Sequence, residues 1–121
     1  ILGPASRVAS MAAIAAHKQG KYLAYHNALM AYPNNLTDEV IFALARQVGL
    51  DIAKLKDDMK SPEVQALIEK THKLATDLGI NGTPGFIIGD QIIPGAVNAD
   101  ELKKRIAEAR QACAQRKEAL C

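Results

Sequence analysis

The sequence predicts an α/β protein that is mostly α-helical and ends in a β-hairpin followed by one more helix. Apolar residues recur at helical spacing through the first three-quarters of the chain, and this pattern changes abruptly at Ile80. The runs Phe86-Ile87-Ile88 and Gln91-Ile92-Ile93 then flank Gly89-Asp90, which indicates two short strands joined by a two-residue turn that begins with glycine.

Capping residues delimit five helices ahead of the hairpin. Pro4 suits a first helical turn, and Thr37, Asp51 and Ser61-Pro62-Glu63 are start signals for the third, fourth and fifth helices. Glycines that can end a helix follow at Gly20, Gly49 and Gly79. Each of the five helices has a predicted apolar stripe. From the first helix to the fifth, these stripes are Val8, Met11, Ile14 and Ala15; Tyr22, Leu23, His26, Leu29 and Met30; Ile41, Leu44, Ala45 and Val48; Ile52, Leu55 and Met59; and Val64, Leu67, Ile68, Leu74, Ala75 and Leu78.

The hairpin is expected to need more cover than one helix can give. The segment Asn98-Ala99-Asp100-Glu101 resembles a capping box that starts the last helix, whose apolar face is Leu102, Ile106 and Ala109. Three consecutive apolar residues in the first strand, Phe86-Ile87-Ile88, predict a strand that is covered on both faces. A lone hairpin is marginally stable in water. The chain, which starts Ile1-Leu2-Gly3-Pro4 without Met or a basic leader, is therefore expected to be part of a longer protein.

Composition and charge argue against nucleic-acid and membrane partners. The 121 residues suit one domain, and the formal net charge is only +2. Basic and acidic residues alternate near the C-terminus, as on a solvated helix face. No apolar run approaches the ~18–20 residues that span a bilayer. Aromatic residues make up 4% and tryptophan is absent, so small aliphatic residues must fill the core and the helices should approach closely.

The two cysteines, Cys113 and Cys121, do not form a catalytic or metal-binding motif. On one continuous helix they would lie ~12 Å apart along the axis, whereas a disulfide needs Cα atoms within about 7 Å. They can pair only if the last turn unravels, or with another chain. Two tail thiols without catalytic duty are the favoured interpretation.

The remaining polar candidates indicate structural roles. His26 follows Tyr22 and Leu23 on an apolar face, which favours a packed core histidine over a catalytic base. Asp57-Asp58, in a segment of mixed charge, is expected at the surface. Neither a metal nor a cofactor is expected. The three histidines, His17, His26 and His72, are not spaced along the sequence as the ligands of a metal site are.

The segment Gly79–Asp90, with the sequence G-I-N-G-T-P-G-F-I-I-G-D, resembles a family signature. The pattern G-[IV]-x-G-T-P-x-[FT]-[FV]-[IV]-x-[GD] leads into the third strand of DsbA-like proteins of the thioredoxin superfamily. Further segments match in order up to about Ala112, at Ile1–Ser6, Gly20–Met30, Gly49–Asp51 and Ser61–Val64.

This resemblance implies a thioredoxin-like fold with a helical insertion, here truncated to mostly α with a C-terminal β-hairpin and final helix. Residues 1–79 would be the helical insertion subdomain, starting at the end of the family's second strand. Residues 80–112 would be the C-terminal ββα part of the thioredoxin fold, and residues 113–121 a tail.

The same resemblance places the site at Gly82, Thr83 and Pro84. The Thr83–Pro84 bond would be cis and would lie beside the active-site dithiol of the family. A proline has no N–H and turns the chain, which leaves the amide and carbonyl of Thr83 free to pair with an extended substrate segment. The substrates of the full-length protein would be protein thiols and disulfides, and its location the periplasm, the cell envelope or outside the cell.

Family members carry Cys-x-x-Cys at the start of the first helix, where the helix N-terminus lowers the thiol pKa. That motif does not occur in these 121 residues, so the chain has no expected catalytic residue and should be inactive alone. Kappa-class glutathione transferases and hydroxychromene-carboxylate isomerases share the scaffold but use Ser where the first Cys would be. They remain alternatives, as does a non-catalytic peptide-binding or chaperone module.

Self-association is a further expectation. The hairpin edge and its apolar faces should seek a partner, and Phe86, Ile88 and Ile92 should be buried by something outside their own chain.

Overall fold

A computed structural model describes residues 3–116 and contains, within that range, six α-helices and a two-stranded antiparallel sheet in the predicted order. The elements are α1 (Pro4–His17), α2 (Tyr22–Ala31), α3 (Asp38–Gln47), α4 (Ile52–Met59), α5 (Pro62–Asp77), β1 (Gly85–Ile88), β2 (Gln91–Pro94) and α6 (Ala99–Arg116). The mostly helical class with a hairpin and a last helix is confirmed. No helix among the residues described is long and apolar enough to cross a membrane.

Two compact units divide the chain, one running to Leu74 and the other beginning at Ala75. We call them the helical unit and the hairpin unit. The expected boundaries at residues 79 and 112 concern the subdivision of a thioredoxin fold, and they stay a prediction.

Alanines of α1 occupy the centre of the helical unit. Ala12, Ala15 and Ala16 are fully buried, and α1 contacts α2, α3 and α4. Because a methyl group takes little space, these helices can pack closely, as the composition predicted. Larger side chains complete the core, among them Tyr25, Leu29, Ile41, Leu55, Met59 and Val64.

Of the residues predicted to form the apolar face of α2, only Leu29 is buried. Tyr25 and Leu29 are buried, whereas Leu23 is 66% and Met30 73% exposed. The Tyr25 hydroxyl donates to the carbonyl oxygen of Ile41 at 2.7 Å, which gives the buried phenol its hydrogen bond. Since α2 contains no Asp, Glu, Lys or Arg, both of its sides are free of formal charge and spacing alone could not select the inner one.

The apolar stripe predicted for α5 is also only partly buried. Val64 is 1% exposed and belongs to the core of the helical unit, but Leu67 is 46% and Leu74 56% exposed. A regular stripe therefore indicated the helix correctly without indicating which of its residues are covered.

Three helices end in the same backbone motif, in which a glycine has a positive φ. After α3, the N–H of Gly49 donates to Arg46 and the N–H of Leu50 donates to Ala45, at 2.9 and 3.0 Å. This is the Schellman arrangement, which pairs carbonyls that the helix leaves free. The same pair of bonds occurs after α1 and after α5, at the predicted stops Gly20 and Gly79.

Lys21 adds a side-chain cap to the end of α3. Its Nζ donates to the carbonyl oxygens of Val48 and Gly49 at 2.9 and 2.8 Å. A cation placed there also complements the negative end of the helix dipole. The start of α2 is thereby fastened to the end of α3.

Gly49→Ala is expected to lower the free energy of unfolding more than Gly20→Ala. The two glycines have φ values of 74° and 69°, so alanine should cost about 1–2 kcal/mol at either position. An added Cβ at Gly49 would lie 2.7 Å from Lys21 Nζ, whereas one at Gly20 meets nothing within 4 Å. Displacing Lys21 breaks its two hydrogen bonds, for roughly 1 kcal/mol more. Urea unfolding of both variants measures the difference.

The control is the same pair of substitutions in a Lys21→Met background, where their costs should become equal. An excess cost at Gly49 that persists without Lys21 would contradict the capping role.

The hairpin has one covered face and one open face. Phe86 pairs with Ile93 and Ile87 with Ile92, across a turn that starts at Gly89. On one face α6 contacts β1, Ile93 is buried, and Phe86 is half-buried. On the other face Ile87 is 51% and Ile92 45% exposed.

Phe86, Ile88 and Ile92, which the sequence predicts to be buried by something outside the chain, do not lie on one face, and their burial by a partner stays a prediction. Side chains alternate along a strand, so Phe86 and Ile88 lie on the α6 side and Ile92 lies on the open side. The start of α6 is capped as predicted, since Asn98 Oδ1 accepts the Glu101 N–H at 2.8 Å. The Glu101 carboxylate instead binds Arg105 Nε, at 2.7 Å.

Candidate functional site

The predicted site residues lie on one short loop between α5 and β1. The Schellman bonds at the end of α5 join Gly79 to Thr76 and Ile80 to Ala75, at 3.0 and 2.8 Å. Gly79 has a φ of 67°, which turns the chain away from the helix axis. The loop that follows, residues 81–84, leads directly into the first strand.

Gly82, Thr83 and Pro84 are all exposed, and the Thr83–Pro84 peptide bond is cis. The carbonyl oxygen of Pro84 accepts the Gly95 N–H at 2.9 Å. This bond ties the loop to the residue that follows β2. Sequence reasoning missed it, because Pro94-Gly95 indicated only the end of the hairpin.

Thr83 has unused backbone hydrogen-bonding groups. Within residues 3–116, neither its N–H nor its C=O forms a hydrogen bond. The next residue, Pro84, has no N–H to compete for a partner. Exposed main-chain groups of this kind can pair with an extended segment of another protein, as a sheet edge does. The loop therefore exposes one backbone donor and one backbone acceptor that are available for hydrogen bonds.

A small hollow adjoins the loop on the open face of the hairpin. Its volume is about 60 Å³, and it is lined by Gly79, Ile80, Asn81, Gly82, Gly85, Ile92 and Pro94. A Cβ added at Gly85 would lie 3.1 Å from Ile80 Cγ2. Glycine at this position therefore lets the Ile80 side chain pack against the start of β1.

Two of the other candidates, His26 and Asp58, belong to the helical unit, whereas this loop belongs to the hairpin unit. His26 is half-buried and stacks on Tyr22 with the ring centroids 5.7 Å apart, so the expected core histidine is wrong and Tyr25 takes that position. No group of three or more His, Cys, Asp or Glu side chains in the part of the chain described could hold a metal ion.

Asp58 belongs to an ion-pair cluster rather than to a carboxylate dyad. Its carboxylate lies 3.1 Å from Lys54 Nζ and 3.5 Å from Lys18 Nζ. The hydrogen bond from Lys54 is the main reason that the pKa of Asp58 lies below its ordinary value. Its neighbour Asp57 is exposed, as predicted.

Cys113 is half-buried in α6 and is disulfide-bonded. The favoured interpretation as a thiol is therefore wrong at this position, whereas the expectation that Cys113 has no catalytic duty stays a prediction. Cys121 lies outside the described residues.

Comparison with known proteins places these features in a family context. A family model described as the DSBA-like thioredoxin domain matches residues 1–107. The chain is similar to the crystal structure of a thioredoxin-like oxidoreductase from Silicibacter pomeroyi DSS-3, with a TM-score of 0.87 and 43% identity over 92% of the chain. It is also similar to the thiol-disulfide exchange protein alpha-DsbA2 from Wolbachia pipientis, with a TM-score of 0.79 and 32% identity over 89% of the chain.

A third similar structure is a periplasmic thioredoxin-like protein from Salmonella enterica serovar Typhimurium, with a TM-score of 0.75 and 30% identity over 90% of the chain. The chain spans 64%, 60% and 61% of the lengths of these three structures. Among curated proteins, the uncharacterized protein YwbO of Bacillus subtilis is 35% identical over 58% of the chain, which spans 36% of its length.

Proposed function

We propose that this chain, which belongs to the DSBA-like thioredoxin domain family, is the portion of a thiol–disulfide oxidoreductase that binds the protein substrate. The family in general exchanges thiols and disulfides of proteins. The observation that carries the finer proposal is Thr83, which is exposed and leaves its N–H and C=O unpaired within residues 3–116.

In this proposal the loop Gly82–Pro84 holds an extended stretch of the substrate. The Thr83 N–H donates to a substrate carbonyl, and the Thr83 carbonyl accepts a substrate N–H. This pairing does not depend on the side chains of the substrate, which suits an enzyme that acts on many different proteins. It also fixes the substrate disulfide relative to an attacking thiolate, so that the reacting sulfur atoms are already oriented when exchange begins.

The thiolate itself must come from a Cys-x-x-Cys motif, which these 121 residues do not contain. We therefore expect the 121-residue chain neither to reduce insulin disulfides nor to oxidise a reduced test protein above background. Insulin turbidity and a refolding assay measure the two activities. The matched control is the Cys113→Ser, Cys121→Ser variant, and turnover that persists in it would contradict the assignment of chemistry to the missing motif.

The positive test joins the chain to a strand–Cys-x-x-Cys helix–strand segment from a family member. The fusion should exchange disulfides. Thr83→Pro in the fusion removes one backbone donor and should raise KM for a protein substrate about three- to tenfold, since one hydrogen bond contributes about 0.5–1.5 kcal/mol. Thr83→Ala keeps both backbone groups and should leave KM unchanged. A large KM effect of Thr83→Ala would indicate that the side chain, not the backbone, binds the substrate.

We further propose that the whole protein works in the periplasm or cell envelope. The similar Salmonella protein is described as periplasmic. Oxidising compartments are where protein disulfides form and persist.

The hairpin unit is also proposed to self-associate when it is not joined to further sheet. Ile87 and Ile92 are about half exposed on the open face, at 51% and 45%, and the outer edges of β1 and β2 are not paired with another described strand. Sedimentation at micromolar concentration should show a dimer, and Ile87→Lys, which places a charge on that face, should shift it to monomer. A monomer for the unsubstituted chain across that concentration range would contradict this proposal.

A further inference from the structure

We propose that Asn81 is a site of spontaneous covalent modification, at which the backbone nitrogen of Gly82 displaces the side-chain amide and aspartate or isoaspartate is left beside Thr83. The reaction needs only water and these two residues. The effect of the modification on substrate binding rests on the proposed function, whereas the modification itself does not.

The chemistry is an acyl transfer between neighbouring residues. The Gly82 N–H gives its proton to hydroxide, and the nitrogen attacks the side-chain carbonyl carbon, Cγ, of Asn81. A bond from nitrogen to Cγ forms, the bond from Cγ to Nδ2 breaks, and ammonia leaves a cyclic imide. Water then opens the ring at either C–N bond, which gives aspartate or isoaspartate. Because nucleophile and electrophile belong to adjacent residues, no second molecule has to be brought to the site before ring closure.

The sequence favours this reaction at one position. Asn81 is the only asparagine that glycine follows, since the other four, Asn27, Asn34, Asn35 and Asn98, precede Ala, Asn, Leu and Ala. Glycine has no Cβ to crowd the attacking nitrogen, and its backbone reaches conformations that other residues do not. In the signature that the segment resembles, the position before this glycine is variable, so the Asn81-Gly82 pair is a feature of this chain.

The structure leaves both reacting groups free. Asn81 and Gly82 are exposed and lie outside the helices and strands. Within residues 3–116, neither the Asn81 side chain nor the Gly82 N–H forms a hydrogen bond. No hydrogen bond therefore has to break before the nitrogen can approach Cγ.

The other asparagines differ from Asn81 in ways that separate the two requirements. Asn27 lies within α2, where the next N–H is bonded along the helix, and Asn98 Oδ1 accepts the Glu101 N–H at 2.8 Å. Asn34 and Asn35 are exposed in a loop, as Asn81 is, but no glycine follows them. These two asparagines therefore isolate the contribution of glycine from that of exposure.

Isoaspartate at position 81 would alter a loop whose ends are fastened. Ile80 is hydrogen-bonded to the end of α5, and Pro84 is hydrogen-bonded to Gly95. Isoaspartate adds one carbon atom to the main chain between these attachments, together with a carboxylate. Thr83, whose N–H and C=O are not fastened within residues 3–116, should therefore turn away from the direction that pairing with an extended segment requires.

The test incubates the 121-residue chain in warm, mildly alkaline buffer and follows each asparagine by mass spectrometry of tryptic peptides. Trypsin releases residues 74–103 as one peptide, which holds both Asn81 and its internal control Asn98. Asn81 should convert at least about tenfold faster than any other asparagine of the chain, a ratio that corresponds to about 1.4 kcal/mol of activation free energy. Equal rates at Asn81 and Asn35 would overturn the proposal.

Gly82→Ala is the matched variant, because the fold has room for it. A Cβ at Gly82 meets nothing within 4 Å, so the variant should keep the circular dichroism spectrum of the unsubstituted chain. Its Asn81 should convert about tenfold more slowly. Asn81→Gln should not react at this position, because the longer side chain would have to close a larger ring. An unchanged rate in Gly82→Ala would contradict attack by the Gly82 nitrogen.

The effect on the loop is measured in the fusion with a Cys-x-x-Cys segment. Incubation should raise KM for a protein substrate about three- to tenfold, as expected for the loss of one hydrogen bond, and Asn81→Gln should prevent this rise. An unchanged KM after incubation, in a fusion whose KM still responds to Thr83→Pro, would overturn the effect on binding and leave the proposed function standing. A KM that responds to neither change would overturn the proposed function, while the conversion of Asn81 would still establish the modification site.

Discussion

Ala12→Leu is expected to lower the free energy of unfolding of the chain by about 2–3 kcal/mol. Ala12 is fully buried in α1, and its helix contacts α2, α3 and α4. Three additional carbon atoms cannot enter that space without forcing neighbouring side chains out of their preferred rotamers or moving a helix. Urea unfolding followed by far-UV circular dichroism measures the loss.

Ala5→Leu is the matched control, because Ala5 lies on the same helix with its side chain exposed. Surface substitutions of this kind change stability by no more than about 0.5 kcal/mol. Equal effects of the two substitutions would show that the helices of this unit are not closely packed around α1.

Raising the pH from 10 to 12 is expected to cost about 2 kcal/mol of stability through Tyr25 alone. Burial raises the pKa of Tyr25 from 10.0 to about 12. Below pH 10 the phenol is neutral in both states, so its contribution is fully present. Between pH 10 and 12 it ionises in the unfolded state first, which favours unfolding by ~1.4 kcal/mol for each unit of pKa difference.

Tyr25→Phe isolates this effect from the other groups that titrate at alkaline pH. At neutral pH the variant should lose about 1 kcal/mol, because the hydrogen bond to the Ile41 carbonyl is gone. The gap between the two proteins should then shrink and reverse as the pH approaches 12. Stability curves that stay parallel across this range would contradict the raised pKa.

Local signals predicted the elements of the fold well because their causes are local. Gly20, Gly49 and Gly79 end helices through the left-handed conformation that glycine adopts most readily, and Asn98 caps α6 through a bond to a residue three positions away. Neither effect depends on the rest of the molecule.

Burial was harder to predict because it depends on what packs against an element. On α2 both sides are free of formal charge, and Tyr25 rather than His26 became the buried ring because its hydroxyl reaches Ile41 on another helix. On the hairpin, Ile92 and Ile93 are adjacent apolar residues, so no alternation in β2 assigned Ile92 to the open face.

The candidate site was predictable where it is contiguous in sequence. Gly82, Thr83 and Pro84 follow one another, so a motif could indicate them. The contacts that hold the loop were not predictable, because the bond from Gly95 to Pro84 and the fit of Gly85 against Ile80 depend on the path of the backbone.

The bond from the Gly95 N–H to the Pro84 carbonyl also makes one amide a reporter for the loop. A hydrogen-bonded amide proton exchanges with deuterated water only after its bond opens. Gly95 lies one residue beyond β2 and is not part of the hairpin ladder. The exchange rate of its amide therefore reports the separation of the loop from the end of β2 rather than the opening of the ladder. A substrate segment that binds to the Thr83 backbone should slow the exchange of the Gly95 amide, although Gly95 is not expected to contact that segment.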